Sequence, residues 1–236
     1  MNRLNEYRSE LKGLDAEGIL KWTADKFGSR VALATSFGAE DQVLTDLWAG
    51  LEDTMQIFTL DTGRLFQETY DVMDATMKRY GLRFEVYAPN AEDLARLIET
   101  DGPNLFYESV EKRKACCAVR KTIPLQRVLS GLESWITGLR KEQSVTRTGT
   151  EAIEWDGSHG LYKIAPLHDW TEEQVWAYIR EHKVPFNKLH EKGFRSIGCA
   201  PCTRAVAPGE NVRAGRWWWE LPEHRECGLH TRPRKG

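Results

Sequence analysis

Five cysteines carry most of the chemistry available to this chain. Cys116 and Cys117 are adjacent, Cys199 and Cys202 bracket a C-A-P-C turn, and Cys227 stands apart in ECGLH. Two thiolates three positions apart reach one metal centre without strain, and Pro201 stiffens the turn between them. Neighbouring side chains diverge, which makes Cys116 and Cys117 awkward ligands for one zinc ion. An iron–sulfur cube presents separate irons to separate thiolates. The four cysteines, with no histidine beside them, therefore favour a [4Fe–4S] cluster, and four-cysteine zinc is the second reading. The plainer alternatives are a redox dithiol at C-A-P-C and two buried small hydrophobes at CC. Both lose weight because the two halves occur together, embedded in basic residues.

Cys227 is left over. A nucleophilic thiol needs exposure and nearby cations that lower its pKa. Arg225 and His230 lie close in sequence, while Glu226 opposes them unless it points outward. On ECGLH alone, a nucleophile and an inert surface cysteine weigh equally.

Strand and helix signals alternate along the chain. Val31 to Phe37 reads as a buried strand, EDQVLTDLWAG as a helix ending at Gly50, and Met55 to Asp61 as a second strand. LFQETYDVMDATMKRYG is helical, RFEVYAP extended, and NAEDLARLIETDG a helix capped by Asn90. AVRKTIPLQRVLSG reads as a helix, and Glu133–Gly138 and GLYKIAPL as strands. TEEQVWAYIREH is a helix whose Thr171 and Gln174 satisfy a capping box. This order predicts an α/β fold with a mostly parallel sheet and helices on both faces. The expected organisation is one α/β domain over 1–204 carrying the iron–sulfur site, then an irregular, mobile tail over 205–236.

In such a sheet, ligands bind beyond the C-terminal ends of the strands. TSFGAED, LDTGR and TGLRKEQSVTR fall there. Ser36 and Gly38 sit between a strand and a helix, where backbone N–H groups can approach a phosphate. A tight turn with no ligand is the equal alternative. The loop is neither a dinucleotide fingerprint nor a Walker A sequence.

The chain has 236 residues, a formal net charge of −2 and 41% hydrophobic residues, which suits a soluble protein with a sizeable core. No apolar run spans a bilayer, and the polar start lacks a secretory signal, so the cytoplasm is the expected location. Disulfides are not expected there. Local basic clusters in a near-neutral chain suit a small anion better than nucleic acid. Trp217, Trp218 and Trp219 are contiguous and cannot line one smooth stacking face, so they read as anchors for the tail.

Taken in order, SFGAED, LDTGR, KRKACCAVRK, ITGLRKEQSVTR, SIGCAPCTR, GRWWWE and ECGLH carry a resemblance that runs from about Val31 to His230. The chain resembles the thioredoxin-dependent adenylyl-sulfate (APS) reductases of assimilatory sulfate reduction. The resemblance implies a Rossmann-like adenine-nucleotide α-hydrolase fold, with SFGAED standing where related ATP pyrophosphatases carry their pyrophosphate loop. It makes Cys116, Cys117, Cys199 and Cys202 the ligands of a [4Fe–4S] cluster, and Cys227 the nucleophile that takes an S-sulfonate from APS and releases AMP. Thioredoxin then releases sulfite. It places Lys121, Arg147, Arg213, Arg216 and His230 around the substrate's anionic groups, with Arg140 either there or structural. Ser36, Phe37, Gly38, Leu60 and Asp61 are expected at the adenosine, Asp61 either on the ribose or closing its own turn. Family members are often dimers or tetramers, though no sequence feature marks an interface.

SFGAED departs from the pyrophosphatase loop SGGxDS. Phe37 replaces its first glycine, and Glu40-Asp41 replaces Asp-Ser, which argues against ATP hydrolysis. In the family the CC and CxxC set accompanies APS rather than PAPS. Three other readings compete: a PAPS reductase that retained a cluster, a tRNA thiolase on the same fold, and a non-catalytic zinc-stabilised binding module. The thiolase would need an intact SGGxDS loop, and the binding module would leave Cys227 idle.

Overall fold

In the computed structural model the residues described are 2–51, 56–143 and 147–221. The chain forms two compact units from interleaved segments. Met1–Thr59, Gln67–Glu85 and Gly131–Lys188 make the first, and Leu60–Phe66, Val86–Ser130 and Leu189–Gly236 the second.

Six strands form one sheet: β1 (Val31–Thr35), β2 (Gln56–Leu60), β3 (Glu85–Tyr87), β4 (Ser134–Ile136), β5 (Ile153–Asp156) and β6 (Leu161–Ile164). Their order is β3-β2-β1-β4-β6-β5. β1 pairs in parallel with β2 and β4, and β4 with β6. The expected strands are present, shorter than their apolar runs suggest. β5, which the sequence reading passed over, is an antiparallel edge against β6. Val31, Ala32, Leu33 and Thr35 are all buried in β1, as a strand covered on both faces requires.

The first unit also holds α1 (Asn2–Glu10), α2 (Ala16–Phe27), α3 (Ala39–Ala49) and α4 (Gln67–Tyr80). The first two are further elements the sequence reading missed. Asp15 caps α2 by accepting from Gly18 N at 2.8 Å, and Ile19, Leu20, Thr23, Ala24 and Phe27 are buried at helical spacing. The second unit contains α5 (Ala91–Asp101), α6 (Val110–Cys117) and α7 (Ile123–Leu129). Asn90 caps α5 through Glu92 N and Asp93 N. Returning to the first unit, α8 (Glu172–Glu181) has the expected Thr171–Gln174 capping box.

The β1–α3 turn is strained. Phe37 has φ 59°, a region bulky side chains rarely enter. Such a conformation costs about 1–3 kcal/mol. Burial of the ring, edge-on to Phe84 at 5.1 Å, offsets that cost. Phe37 thus keeps the backbone shape a glycine would take there. Asp41 Oδ2 accepts from Ser36 N at 2.7 Å and from Ser36 Oγ at 2.8 Å. A Cβ on Gly138 would fall 2.5 Å from Asp41 Oδ1, so only glycine lets the loop after β4 approach. Burial pushes the Asp41 carboxyl up to about 6, and the Ser36 donors only partly counter it.

The folded pKa of Asp41 lies above the ordinary carboxylate value. Its favourable contribution to stability is therefore complete below about pH 4 and is lost as pH rises through about 6. Asp41→Asn is expected to raise the thermal unfolding midpoint near about pH 8, by at most about 3 kcal/mol in stability, and to flatten the stability profile between about pH 4 and 7. Calorimetry of both proteins across that range checks it.

Candidate functional site

Both cysteine pairs lie in the second unit. Ser109 opens α6 by accepting from Lys112 N at 3.1 Å. Arg113, Cys116 and Cys117 then follow at the spacing that places side chains on one helix face, and all three are buried. The helix continues as a π turn over Ala118–Thr122 before α7 resumes. Pro124 explains the widening. Its ring lacks an N–H and would clash with the carbonyl four residues back in a regular helix. Arg120 and Lys121, carried on this turn, are buried as well.

The C-A-P-C segment forms a tight three-ten turn, with Cys202 N donating to Cys199 O at 2.9 Å. Ala200 N donates to Arg64 O at 2.8 Å, and the Tyr107 hydroxyl to Pro201 O at 2.8 Å, so the turn is held from two further segments. Cys116, Cys117, Cys199 and Cys202 pack with Leu105, Phe106 and Trp217 in one buried cluster. They line a cavity together with Arg120, Lys121 and Arg216.

The electrostatics favour anionic sulfur at one position above all. Burial works against ionisation of Cys199, but Lys121, the Thr62 hydroxyl and Arg216 together bring its thiol below the usual range. Thr62 Oγ1 lies 3.3 Å from Cys199 Sγ. Cys202 is pushed up to about 12 by burial and by its neighbours Cys199 and Cys117. Cys116 is raised by burial, with Arg120 opposing. Four thiolates packed together repel one another, so an uncompensated set is not a stable arrangement.

The lining also holds buried donors without an acceptor. Among the described residues, Arg120 Nε, Arg216 Nε and Trp217 Nε1 make no hydrogen bond. Orphaned buried donors of this kind are rare, and each points to a missing acceptor. Four buried sulfurs ringed by cations and orphaned N–H groups fit an anionic sulfur-rich group.

The substrate residues named from the sequence divide between the units. Lys121 and Arg216 are at the cysteine cavity. Arg213 is in the same unit, half-buried, its N–H donating to Asn211 Oδ1 at 2.9 Å. Asp61 closes the LDTG turn, accepting from Gly63 N at 2.8 Å. Leu60 ends β2. Ser36, Phe37 and Gly38 form the β1–α3 turn of the first unit. Arg147 donates to Gln143 Oε1 at 2.5 Å within that unit. Arg140 is buried in that unit, donating to Glu40 Oε1 at 2.9 Å and to Trp170 O at 3.1 Å. Cys227 and His230 lie outside the described residues.

The sequence reading missed Thr62, Arg113, Arg120 and Glu220. Arg113 had a signal, since it precedes the cysteine pair by one helical turn. Trp217 behaves as the expected anchor. It is 1% exposed, with the Arg113 guanidinium 4.9 Å from its ring and the Arg216 guanidinium 4.7 Å from it. Trp219 packs on Tyr107 at 4.5 Å, whereas Trp218 is exposed.

Two glycines set how closely the chain packs here. A Cβ on Gly198 would fall 2.2 Å from an Arg216 guanidinium nitrogen, and one on Gly215 would fall 2.2 Å from Arg204 O. The first neighbour is the end of a flexible side chain and the second is backbone beside the Thr203–Arg216 bridge. Gly215→Ala is expected to destabilise by about 2–3 kcal/mol and Gly198→Ala by less, about 1–2 kcal/mol, because a side chain can shift where backbone cannot. Urea unfolding of the two variants checks the difference.

The profile of the phosphoadenosine phosphosulfate reductase domain matches residues 30–205. An adenosine 5'-phosphosulfate reductase of Allochromatium vinosum is 55% identical over 86% of this chain and 79% of its own length. One from Agrobacterium fabrum is 49% identical over 94% of this chain and 85% of its own. Among solved structures, a phosphoadenylyl-sulfate reductase from Candida auris in a phosphate complex matches with TM-score 0.76 and 27% identity, covering 87% of this chain and 97% of that one. A Candida glabrata FMN adenylyltransferase, at 16% identity and TM-score 0.57, shares the fold. The expected adenine-nucleotide α-hydrolase-like architecture is therefore the one found. With identity near half along most of its length, the chain belongs to the adenosine 5'-phosphosulfate reductases of the phosphoadenosine phosphosulfate reductase domain family.

Proposed function

We propose that this protein is an oxidoreductase that reduces APS to sulfite and AMP, with thioredoxin as the thiol donor and Cys227 as nucleophile. The observation that carries the reading is the buried four-cysteine cavity ringed by Lys121, Arg120 and Arg216. It supports a built anionic centre beside cations suited to an anionic substrate. A [4Fe–4S] cluster held by Cys116, Cys117, Cys199 and Cys202 would supply a fixed centre of charge there, and the electron balance needs nothing from it.

The Cys227 thiolate attacks the sulfuryl sulfur of APS. A sulfur–sulfur bond forms, the bond from sulfur to the phosphate oxygen breaks, and AMP leaves with that electron pair. A thioredoxin thiolate then attacks Cys227 Sγ and expels sulfite. The second thioredoxin thiol resolves the mixed disulfide, so the dithiol supplies both electrons. Lys121, Arg213 and Arg216 stabilise charge on the phosphate and sulfuryl oxygens, with Arg147 and His230 assisting. Ser36, Phe37, Gly38, Leu60 and Asp61 serve the adenosine. Ser36 N and Oγ both donate to Asp41, so these two donors are engaged within the loop. A thiol-linked reaction of this kind suits the reducing cytoplasm. Among the described residues no helix is long and apolar enough to cross a membrane.

Intact-mass spectrometry after anaerobic mixing with APS tests the chemistry. Wild type is expected to gain about 80 Da, one SO3 group, and to lose it on addition of thioredoxin, while Cys227→Ser gains nothing. Release of AMP without the adduct would overturn the covalent step. Turnover of PAPS in place of APS would reassign the substrate. Lys121→Met is expected to lower kcat/KM for APS by about 100-fold, read by sulfite release.

A further inference from the structure

Arg113 and Glu220 meet in the second unit as a fully buried ion pair. Arg113 is 0% exposed and Glu220 7%. The pairing is bidentate, with Arg113 Nε donating to Glu220 Oε1 at 2.9 Å and its terminal nitrogen to Oε2 at 2.7 Å. The same guanidinium lines the cysteine cavity together with Cys117, one helical turn further along α6, and lies against the Trp217 ring. Trp217 has φ 42°, a strained conformation that is held by burial and by the two arginines at its ring. Nothing in a purely apolar core calls for a charged pair at this point. Well-packed hydrophobic residues of similar volume commonly do as well or better for stability.

The chain beyond Glu220 leads to Cys227, seven residues on. Full extension over that length reaches at most about 25 Å, so the place where Glu220 is pinned bounds where the Cys227 thiol can go. We propose that Arg113 and Glu220 form a positioning pair: standing in the lining of the cysteine cavity beside Cys117 and gripping the Glu220 carboxylate, Arg113 ties seating of the segment leading to Cys227 to filling of the four-cysteine site. This rests on the reading of Cys227 as nucleophile and of the four cysteines as cluster ligands. By linkage the coupling is reciprocal. Loosening Glu220 weakens retention of the group at the cysteines, and emptying the cysteines loosens the segment.

Four proteins carry the test, each purified anaerobically: wild type, Glu220→Gln, Arg113→Lys, and Arg113→Met/Glu220→Met, in which both charges are removed together. Three readouts apply: single-turnover S-sulfonation of Cys227 by mass, chelator-driven iron release by visible absorbance, and tryptic cleavage after Arg213 and Arg216. Thermal midpoints control for general unfolding. In Glu220→Gln and the double variant sulfonation is expected to slow by about tenfold or more, and iron release and cleavage to quicken by about tenfold. Arg113→Lys, which keeps the charge without the fork, is expected to fall between wild type and the double variant. A double variant with the wild-type midpoint and wild-type values in all three readouts would overturn the proposal, leaving the pair as packing alone. Should wild type hold no iron or take no sulfonate, the proposed function fails instead. The tryptic comparison then still decides: faster cleavage in Glu220→Gln supports the seating role of the pair, and equal cleavage overturns it.

Discussion

Four cysteine sulfurs share one buried cavity, and the second unit is arranged around that constraint. Burial first, and then the neighbouring thiols, raise the pKa of a cysteine placed here, as at Cys202, unless positive charge or an acceptor-rich group resolves the conflict. The chain supplies positive charge from three segments: Lys121 and Arg120 from the π turn, Arg113 from α6, and Arg216 from beyond the second cysteine pair. Two of them, Arg120 and Arg216, keep an Nε without a hydrogen-bond partner among the described residues. An anionic sulfur-rich group answers both the crowding and the orphaned donors.

Local sequence features follow from the same constraint. Pro124 forces the helix wider just after Cys117, and the widened turn carries Arg120 and Lys121. Without that change of phase, a regular helix would present a different pair of residues. Gly198 has no side chain because Arg216 crosses directly over it. Arg120 donates to Thr62 O at 2.5 Å, which ties the LDTG turn to the cysteine helix. The Arg113–Glu220 pair closes the arrangement. Removing one partner of such a buried pair typically costs about 3–5 kcal/mol, because the other charge is left stranded.

The grouping of the four cysteines was legible because CC and C-x-x-C are chemically distinctive at any distance in sequence. Strands such as VALAT were legible because burial on both faces leaves an unbroken apolar run. Asn90 and Thr171 marked their helix starts through capping chemistry that is local. β5 was missed because IEWD is short and half exposed, an edge strand defined only by its partner β6. α1 was missed because it is polar nearly throughout. Arg113 and Glu220 stand 107 positions apart, and no local pattern announces such a pair. The interleaving of the two units is likewise unmarked, since the chain passes between them without a Gly- or Pro-rich linker. Phe37 was legible as a departure from the pyrophosphatase loop, but its glycine-like backbone was not.

The central claim is that these four cysteines hold one polynuclear iron–sulfur group. Iron and acid-labile sulfide analysis of anaerobically purified protein, with Mössbauer spectroscopy on 57Fe-enriched samples, tests it most directly. The account predicts about four irons and four sulfides per chain, all the iron in a tetrahedral sulfur environment, and loss of the group on Cys199→Ser. One zinc per chain with no labile sulfide, or an unchanged iron spectrum in Cys199→Ser, would contradict it.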